Sequence, residues 1–233
     1  MTVEFDWSEQ PGPWNLWHLF DVWREKYDEM TLEDQTEFHR EFYKRWTVVH
    51  QHGDDRPVDE FFKLLDSDEP QYVLEIGGWD GAAAARILPD YGNIHEWRNV
   101  EFCEEAVVGS VCTDERYYPQ VPEVWPWEAE YLGFNVLFMQ HVIEHMKFDQ
   151  FKALMGACPD IDWVFIQSPL DMGPHDWTGY PGCHILEVGW NDIEEHMNSL
   201  GFRKVMSWWD TIYSTAPENG RTHIYMRPPN AVQ

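Results

Sequence analysis

Apolar residues recur at helical spacing through the first 66 residues and in short unbroken runs thereafter, so the chain divides near residue 70. Leu16, Leu19, Phe20, Trp23 and Tyr27 fall three or four apart, as do Phe38, Phe42, Trp46 and Val49, and residues 13–66 therefore read as an amphipathic helical preface. Thr31 followed by Asp34 marks a capping box for the second helix, and Pro57 suits the first turn of a third, whose inward residues are Val58, Phe61, Phe62 and Leu65. From Gln71 the pattern changes. QYVLEIGG is an apolar run closed by glycines, as expected of a strand buried on both faces. AAAARIL reads as a short helix ended by Pro89, NVEFC as a second strand, FNVLFM as a third, and HVIEHMKFDQFKALMGAC as a helix reaching Pro159. DWVFIQSP is a further strand, WNDIEEHMNSLGF a helix stopped at Gly201, and FRKVMSWW and THIYMRP closing strands.

Strands alternating with helices predict a largely parallel sheet covered on both faces, with ligands held beyond the carboxyl ends of the strands. Those ends are EIGGWDG, EFCEE, MQHVIEH and QSPLDM, and each places polar residues or glycine directly after an apolar run.

Composition narrows the classes. With 43% hydrophobic and 16% aromatic residues the chain has ample material for a core. A formal net charge of -26, with no Lys/Arg-rich run, repels phosphate backbones and argues against a nucleic-acid partner. Cys103, Cys112, Cys158 and Cys183 are widely spaced and read as reduced core thiols rather than a disulfide framework or a zinc knuckle. No stretch approaches the ~18–20 apolar residues that span a bilayer, and the acidic start has no apolar signal region, so a cytoplasmic protein without a membrane partner is expected.

The chemistry concentrates at the predicted strand ends. Gly77, Gly78 and Gly81 allow backbone to approach a ligand closely between a strand and a helix. Glu101 follows Gly81 by 20 residues at the end of the second strand, where a nucleotide-binding sheet places an acid for ribose hydroxyls, and Glu104 competes for that role. His141, His175 and His184, at or after strand ends, are candidates for a catalytic base.

VLEIGGWDG, FNVLFMQHVIEHM and HILEVGWNDIEEHMNSLGFRKV together resemble the class I S-adenosylmethionine-dependent methyltransferases over about residues 71–227. The resemblance implies a Rossmann-like, mostly parallel seven-stranded α/β sheet with helices on both faces, S-adenosylmethionine as cofactor, and no metal. By position, Glu75 resembles the acidic start of the first motif, Gly77 and Gly81 its outer glycines, and Glu101 the ribose-binding acid. Gly78 belongs to the same turn, Asp114 resembles the acid near the adenine, and Gln140 and His141 the segment beside the methionine moiety. Trp79 departs from the family by replacing the middle glycine, and the short stretch between Glu101 and Phe134 implies a truncated second helix.

Residues 70–233 are accordingly expected to form a methyltransferase domain, and residues 1–69 a helical lid or cap. The acceptor is expected to be a small molecule, with a protein as the alternative, and HDWTGYPGCH is the expected contact segment. Two other readings stand beside this one. His141, Glu144 and His145 spell H-x-x-E-H, a zinc metallopeptidase signature when carried on a helix. A non-catalytic Rossmann-like binding protein would use the aromatic preface to hold a partner.

Overall fold

The run QYVLEI forms β1 (Gln71–Ile76), a strand in which every residue but one is buried. It sits third in a seven-stranded sheet ordered β3-β2-β1-β4-β5-β7-β6. The sheet belongs to a computed structural model that describes residues 22–23, 25–45, 56–168, 185–186, 188–209 and 221–229. The other strands are β2 (Ile94–Val100), β3 (Tyr117–Gln120), β4 (Val136–Gln140), β5 (Trp163–Ser168), β6 (Arg203–Trp209) and β7 (Arg221–Met226). The first five pair in parallel, and β7 runs antiparallel between β5 and β6. This is the mostly parallel Rossmann-like arrangement expected from the sequence.

The described helices are α1 (Leu32–Arg45), α2 (Arg56–Leu65), α3 (Ala82–Ile87), α4 (Glu104–Val108), α5 (Phe148–Ala157) and α6 (Trp190–Ser199). The capping box that opens α1 is formed: the Thr31 amide donates to Asp34 Oδ2 (2.9 Å) and the Asp34 amide donates to Thr31 Oγ1 (3.2 Å). Pro57 lies in the first turn of α2. The last turn of α6 leads to Gly201, whose φ of 84° only glycine adopts without penalty. No described helix is long and apolar enough to cross a membrane.

Successive strand residues point to opposite faces, and each face has its own core. Val73, Phe138, Phe165 and Ile224 meet Phe61 and Phe62 of α2 together with Ala84 and Ile87 of α3. Leu74, Leu137, Met139, Val164 and Ile166 meet Phe151 and Leu154 of α5 together with Trp190, Ile193 and Met197 of α6. The third preface helix therefore belongs to the sheet's own core, with Phe61 5.3 Å from Phe165 and Phe62 5.2 Å from Trp97, measured between ring centroids.

Three elements differ from the sequence reading. The second strand begins at Ile94 and ends at Val100, whereas NVEFC places it at residues 99–103; the extra pairs Tyr72–Glu96 and Leu74–Arg98 with β1 draw polar residues into it. β3 carries no apolar run, but as an edge strand it needs few apolar residues and tolerates Pro119. The helix expected from His141 starts only at Phe148, because His141 has a φ of 57° and Ile143–His145 form a 3-10 turn.

Candidate active site

The carboxyl ends of β1, β2, β4 and β5 converge on the turn at residues 77–81. Gly77 and Gly81 have φ of 69° and 76°, in the left-handed region that glycine enters freely. Trp79 has a φ of 51° although it carries a side chain, a conformation that costs about 1–3 kcal/mol and needs outside support. That support is present. The Trp79 amide donates to Glu101 Oε2 (2.9 Å), and the Asn99 side-chain amide donates to the Trp79 carbonyl (3.1 Å). The backbone of residue 79 thus does what the middle glycine would do.

Asn99 is fully buried and clamps the turn twice, since its Oδ1 also accepts from the Gly78 amide (2.9 Å). Its Nδ2 additionally donates to the Tyr117 hydroxyl (2.9 Å). Ser110 Oγ and the Val111 amide both donate to the Asp80 carbonyl, at 3.0 and 2.9 Å. The Gly77 amide donates to the Val100 carbonyl (2.8 Å). Asn99, Ser110 and Tyr117 were not singled out from the sequence. The one available signal was Asn99 itself, an amide side chain inside a strand, where asparagine is depleted.

Little room exists beneath the turn. A Cβ on Gly78 would meet the Glu75 carboxyl carbon at overlapping distance and Asn99 Oδ1 at 2.7 Å. One on Gly81 would meet Tyr117 Cζ at 2.6 Å, and one on Gly77 would meet Val142 Cγ2 at 2.6 Å. The layer beneath the turn is therefore tightly filled, and the backbone of residues 77–81 forms a shelf over it.

Two carboxylates serve this shelf from different depths. Glu75 is buried, and its Oε2 accepts from Trp97 Nε1 (2.7 Å). Burial pushes it up to about 8, the Trp97 hydrogen bond opposes this, and the neighbouring Glu101 and Asp80 add to the rise. Neutral Glu75 is then the stable form at pH 7, and its stabilisation is fully present below the ordinary carboxylate range and lost as pH rises toward about 8. Calorimetric melting of Glu75→Gln from about pH 5 to 9 is expected to give a flatter curve than wild type across that window, because the amide does not ionise. Parallel curves would refute it.

Glu101 stands immediately past β2. Its Oε2 takes the Trp79 amide and its Oε1 takes the Cys103 amide (2.8 Å). Burial raises its pKa, and those backbone donors pull it back. It faces the shelf rather than bulk solvent. Glu104 instead is exposed and lies 3.6 Å from Arg40.

Past β4, Gln140 Nε2 donates to Gln167 Oε1 (2.7 Å) and the His141 amide donates to the Gln167 carbonyl (2.8 Å). Val142 abuts Gly77, so the β4 turn and the glycine turn touch. Asp114 is not brought to this edge. It precedes β3, and Arg116, which binds its carboxylate and holds it down to about 2, also donates to the carbonyls of Leu88, Tyr91 and Ile94 at the amino side of β2. After β3 the chain reaches the carboxyl edge at Gln120 instead. The start of α3 is occupied as well, because Asp80 Oδ1 accepts from the Ala82 amide (3.2 Å). His175, His184 and the HDWTGYPGCH segment lie outside the described residues.

The H-x-x-E-H motif does not form the helix that its metal-binding use requires. His141 belongs to the left-handed turn, and Glu144 and His145 to the 3-10 turn, so the two histidines do not share a helical face. Among the described residues no group of three His, Cys, Asp or Glu side chains is arranged to hold a metal ion.

Over this edge lies the described part of the preface. His39 of α1 stacks on Phe102 past β2 (6.0 Å between centroids, 13° interplanar), and Arg40 reaches Glu105 at 3.4 Å. Further along, the Tyr27 hydroxyl donates to Gln150 Oε1 (2.8 Å) and Asp28 pairs with Lys147, both past β4. These contacts fall past β2 and past β4, the two neighbours of β1 in the sheet. Burial pushes His39 down to about 3, with His145 adding to the effect.

Solved structures share this architecture. The N-methyltransferase NodS of Bradyrhizobium japonicum WM9, in complex with S-adenosyl-L-homocysteine, superposes with a TM-score of 0.62 at 12% identity, covering 85% of this chain and 100% of that one. Magnesium protoporphyrin IX methyltransferase of Synechocystis PCC 6803, with bound S-adenosylhomocysteine, gives 0.57 at 12% identity, covering 90% and 99%. The methyltransferase domain of bacterial CtHen1 gives 0.55 at 10% identity, covering 73% and 96%. No family model and no curated protein matches the sequence. The chain has the class I S-adenosylmethionine-dependent methyltransferase fold.

Proposed function

We propose that the protein is an S-adenosylmethionine-dependent methyltransferase with a small-molecule acceptor. The observation that carries this reading is the position of Glu101: a buried carboxylate one residue past β2, aimed at the backbone of a turn in which a side chain on Gly78 would not fit. The residues present suit the cofactor. Gly77, Gly78 and Gly81 offer bare backbone, Glu101 has lone pairs remaining for sugar hydroxyls, and Gln140 and His141 lead from β4 to Val142, which meets Gly77.

S-adenosylmethionine supplies a sulfonium methyl, to which an acceptor lone pair bonds while the carbon–sulfur bond breaks and its pair stays on sulfur. The protein's part is placement, since orienting two reactants is worth about 7–11 kcal/mol. Of residues 1–69, those before α2 are proposed as a lid, resting on the contacts of His39, Arg40, Tyr27 and Asp28 at the strand ends. Residues 70–233, with α2 packed into the core of their sheet, form the proposed methyltransferase domain.

The negative field favours a small molecule or a protein over nucleic acid as acceptor. A small molecule is also what one structural neighbour, the magnesium protoporphyrin IX methyltransferase, is named for. The proposed compartment is the cytoplasm, a reducing setting that suits the buried thiols of Cys103, Cys112 and Cys158.

Isothermal calorimetry with S-adenosylmethionine is expected to show binding in the micromolar range, about -8 kcal/mol. Arg40→Glu, which turns the contact with Glu104 and Glu105 into repulsion, is expected to weaken that binding several-fold. No heat from wild type at high micromolar ligand would overturn the assignment, and unchanged affinity in Arg40→Glu would overturn the lid.

A further inference from the structure

The turn past β4 holds a chain of polar side chains that runs from Ser168 through Glu144 to His141. Glu144 is 3% exposed, within the 3-10 turn Ile143–His145. Its Oε2 accepts from the hydroxyl of Ser168 (2.7 Å), the last residue of β5, and its Oε1 lies 3.5 Å from His141 Nδ1. The backbone holds both ends in place: the His141 amide is bound to the Gln167 carbonyl (2.8 Å), and the Glu144 carbonyl accepts from the amides of Ile185 (2.9 Å) and Leu186 (3.3 Å). A carboxylate this deeply buried is costly unless polar partners surround it, and here Ser168 faces one of its oxygens and His141 the other. His141 meanwhile has a φ of 57°, a sparsely populated conformation that persists only where its surroundings fix it, and such outliers cluster at functional sites.

We propose that Ser168 and Glu144 are positioning residues that hold His141 as the base for an acceptor whose methylated atom carries a proton, a hydroxyl or an N–H. This rests on the methyltransferase reading above. With Nδ1 turned toward a carboxylate, the neutral ring keeps its hydrogen there, and Nε2, a buried atom, is the basic nitrogen. The acceptor's proton passes to Nε2 as the bond between the acceptor atom and the methyl carbon forms, and the electron pair that held the proton remains on the acceptor. The imidazolium so formed is stabilised by Glu144. An acceptor with no proton to lose, such as a thioether or a tertiary amine, would make no use of this arrangement.

The test is the tautomer of His141, read from long-range proton–nitrogen correlations of the imidazole in the uniformly labelled full chain at a pH of about 8.5. The hydrogen is expected on Nδ1 in wild type and in Glu144→Gln, whose amide oxygen still accepts, and is expected to move to Nε2 in Glu144→Leu. An Nε2–H tautomer in wild type overturns the relay and needs no variant to fold. So does a Leu variant that folds and keeps Nδ1–H. Titration with Zn²⁺ or Mg²⁺ that perturbs both ring nitrogens, and no longer does so in Glu144→Gln, makes the pair metal ligands and overturns it as well. An Nδ1–H tautomer in a protein that fails to bind S-adenosylmethionine overturns the acceptor assignment while leaving the hydrogen-bonded chain intact, so the two failures are distinguishable.

Discussion

Gly78→Ala is expected to abolish S-adenosylmethionine binding, raising Kd by more than about 100-fold (roughly 2.7 kcal/mol), and to lower the melting temperature by several degrees. The added methyl would overlap the Glu75 carboxyl carbon and stand 2.7 Å from Asn99 Oδ1. Neither neighbour has room to retreat. Glu75 is buried and tied to Trp97 Nε1, and Asn99 is fully buried and tied to Trp79 and Tyr117. Overfilling a packed layer costs about 1–3 kcal/mol, and relief by lifting the turn would break the Gly78–Asn99 hydrogen bond that shapes the shelf. Gly92→Ala is the control, since a Cβ there meets nothing within 4 Å. Calorimetry and thermal melting of both variants check the expectation, and a Gly78→Ala protein with cofactor affinity within threefold of wild type would refute it.

Glu101→Ala carries the second large effect, an expected loss of about 100-fold or more in cofactor affinity. Hydrogen bonds to a charged group contribute about 1.5–3 kcal/mol each, and this carboxylate, which accepts from Trp79 and Cys103, is proposed to receive two sugar hydroxyls as well. Its removal also leaves the Trp79 amide without the acceptor that sustains a φ of 51°. Glu101→Gln retains one acceptor oxygen and is expected to fall between alanine and wild type. Burial raises the Glu101 pKa, so affinity should decline toward acid pH and begin to do so above the ordinary carboxylate range. Equal affinities for wild type and alanine variant would remove Glu101 from the site.

The sheet and its helices were largely legible because their signals are local. The apolar runs of β1, β4 and β5 have both faces buried, and Thr31–Asp34 forms the capping box that its spacing announces. β3 was silent because an edge strand of four residues needs no apolar run. The break between His141 and Phe148 was silent because helical periodicity of side chains does not report a left-handed backbone at a strand end.

At the site the same division holds. The glycine turn, Glu101 and His141 were marked by residue type and by distance from a strand end, which are properties of a linear string. Asn99 reaches Gly78 across 21 residues and Ser168 reaches Glu144 across 24, contacts that exist only because parallel neighbours set the strand ends side by side. The same registration carries Asp114 away, to the amino side with Arg116, although it lies only 13 residues beyond Glu101. Sequence alone determined that the apolar runs of β1, β4 and β5 become strands, where the chain turns on glycine and where its acids fall, because period and residue type act within a few residues. Tertiary structure alone decided which acid meets the shelf, which amide clamps it and which hydroxyl meets Glu144, because those choices depend on strand pairing over 20 or more residues.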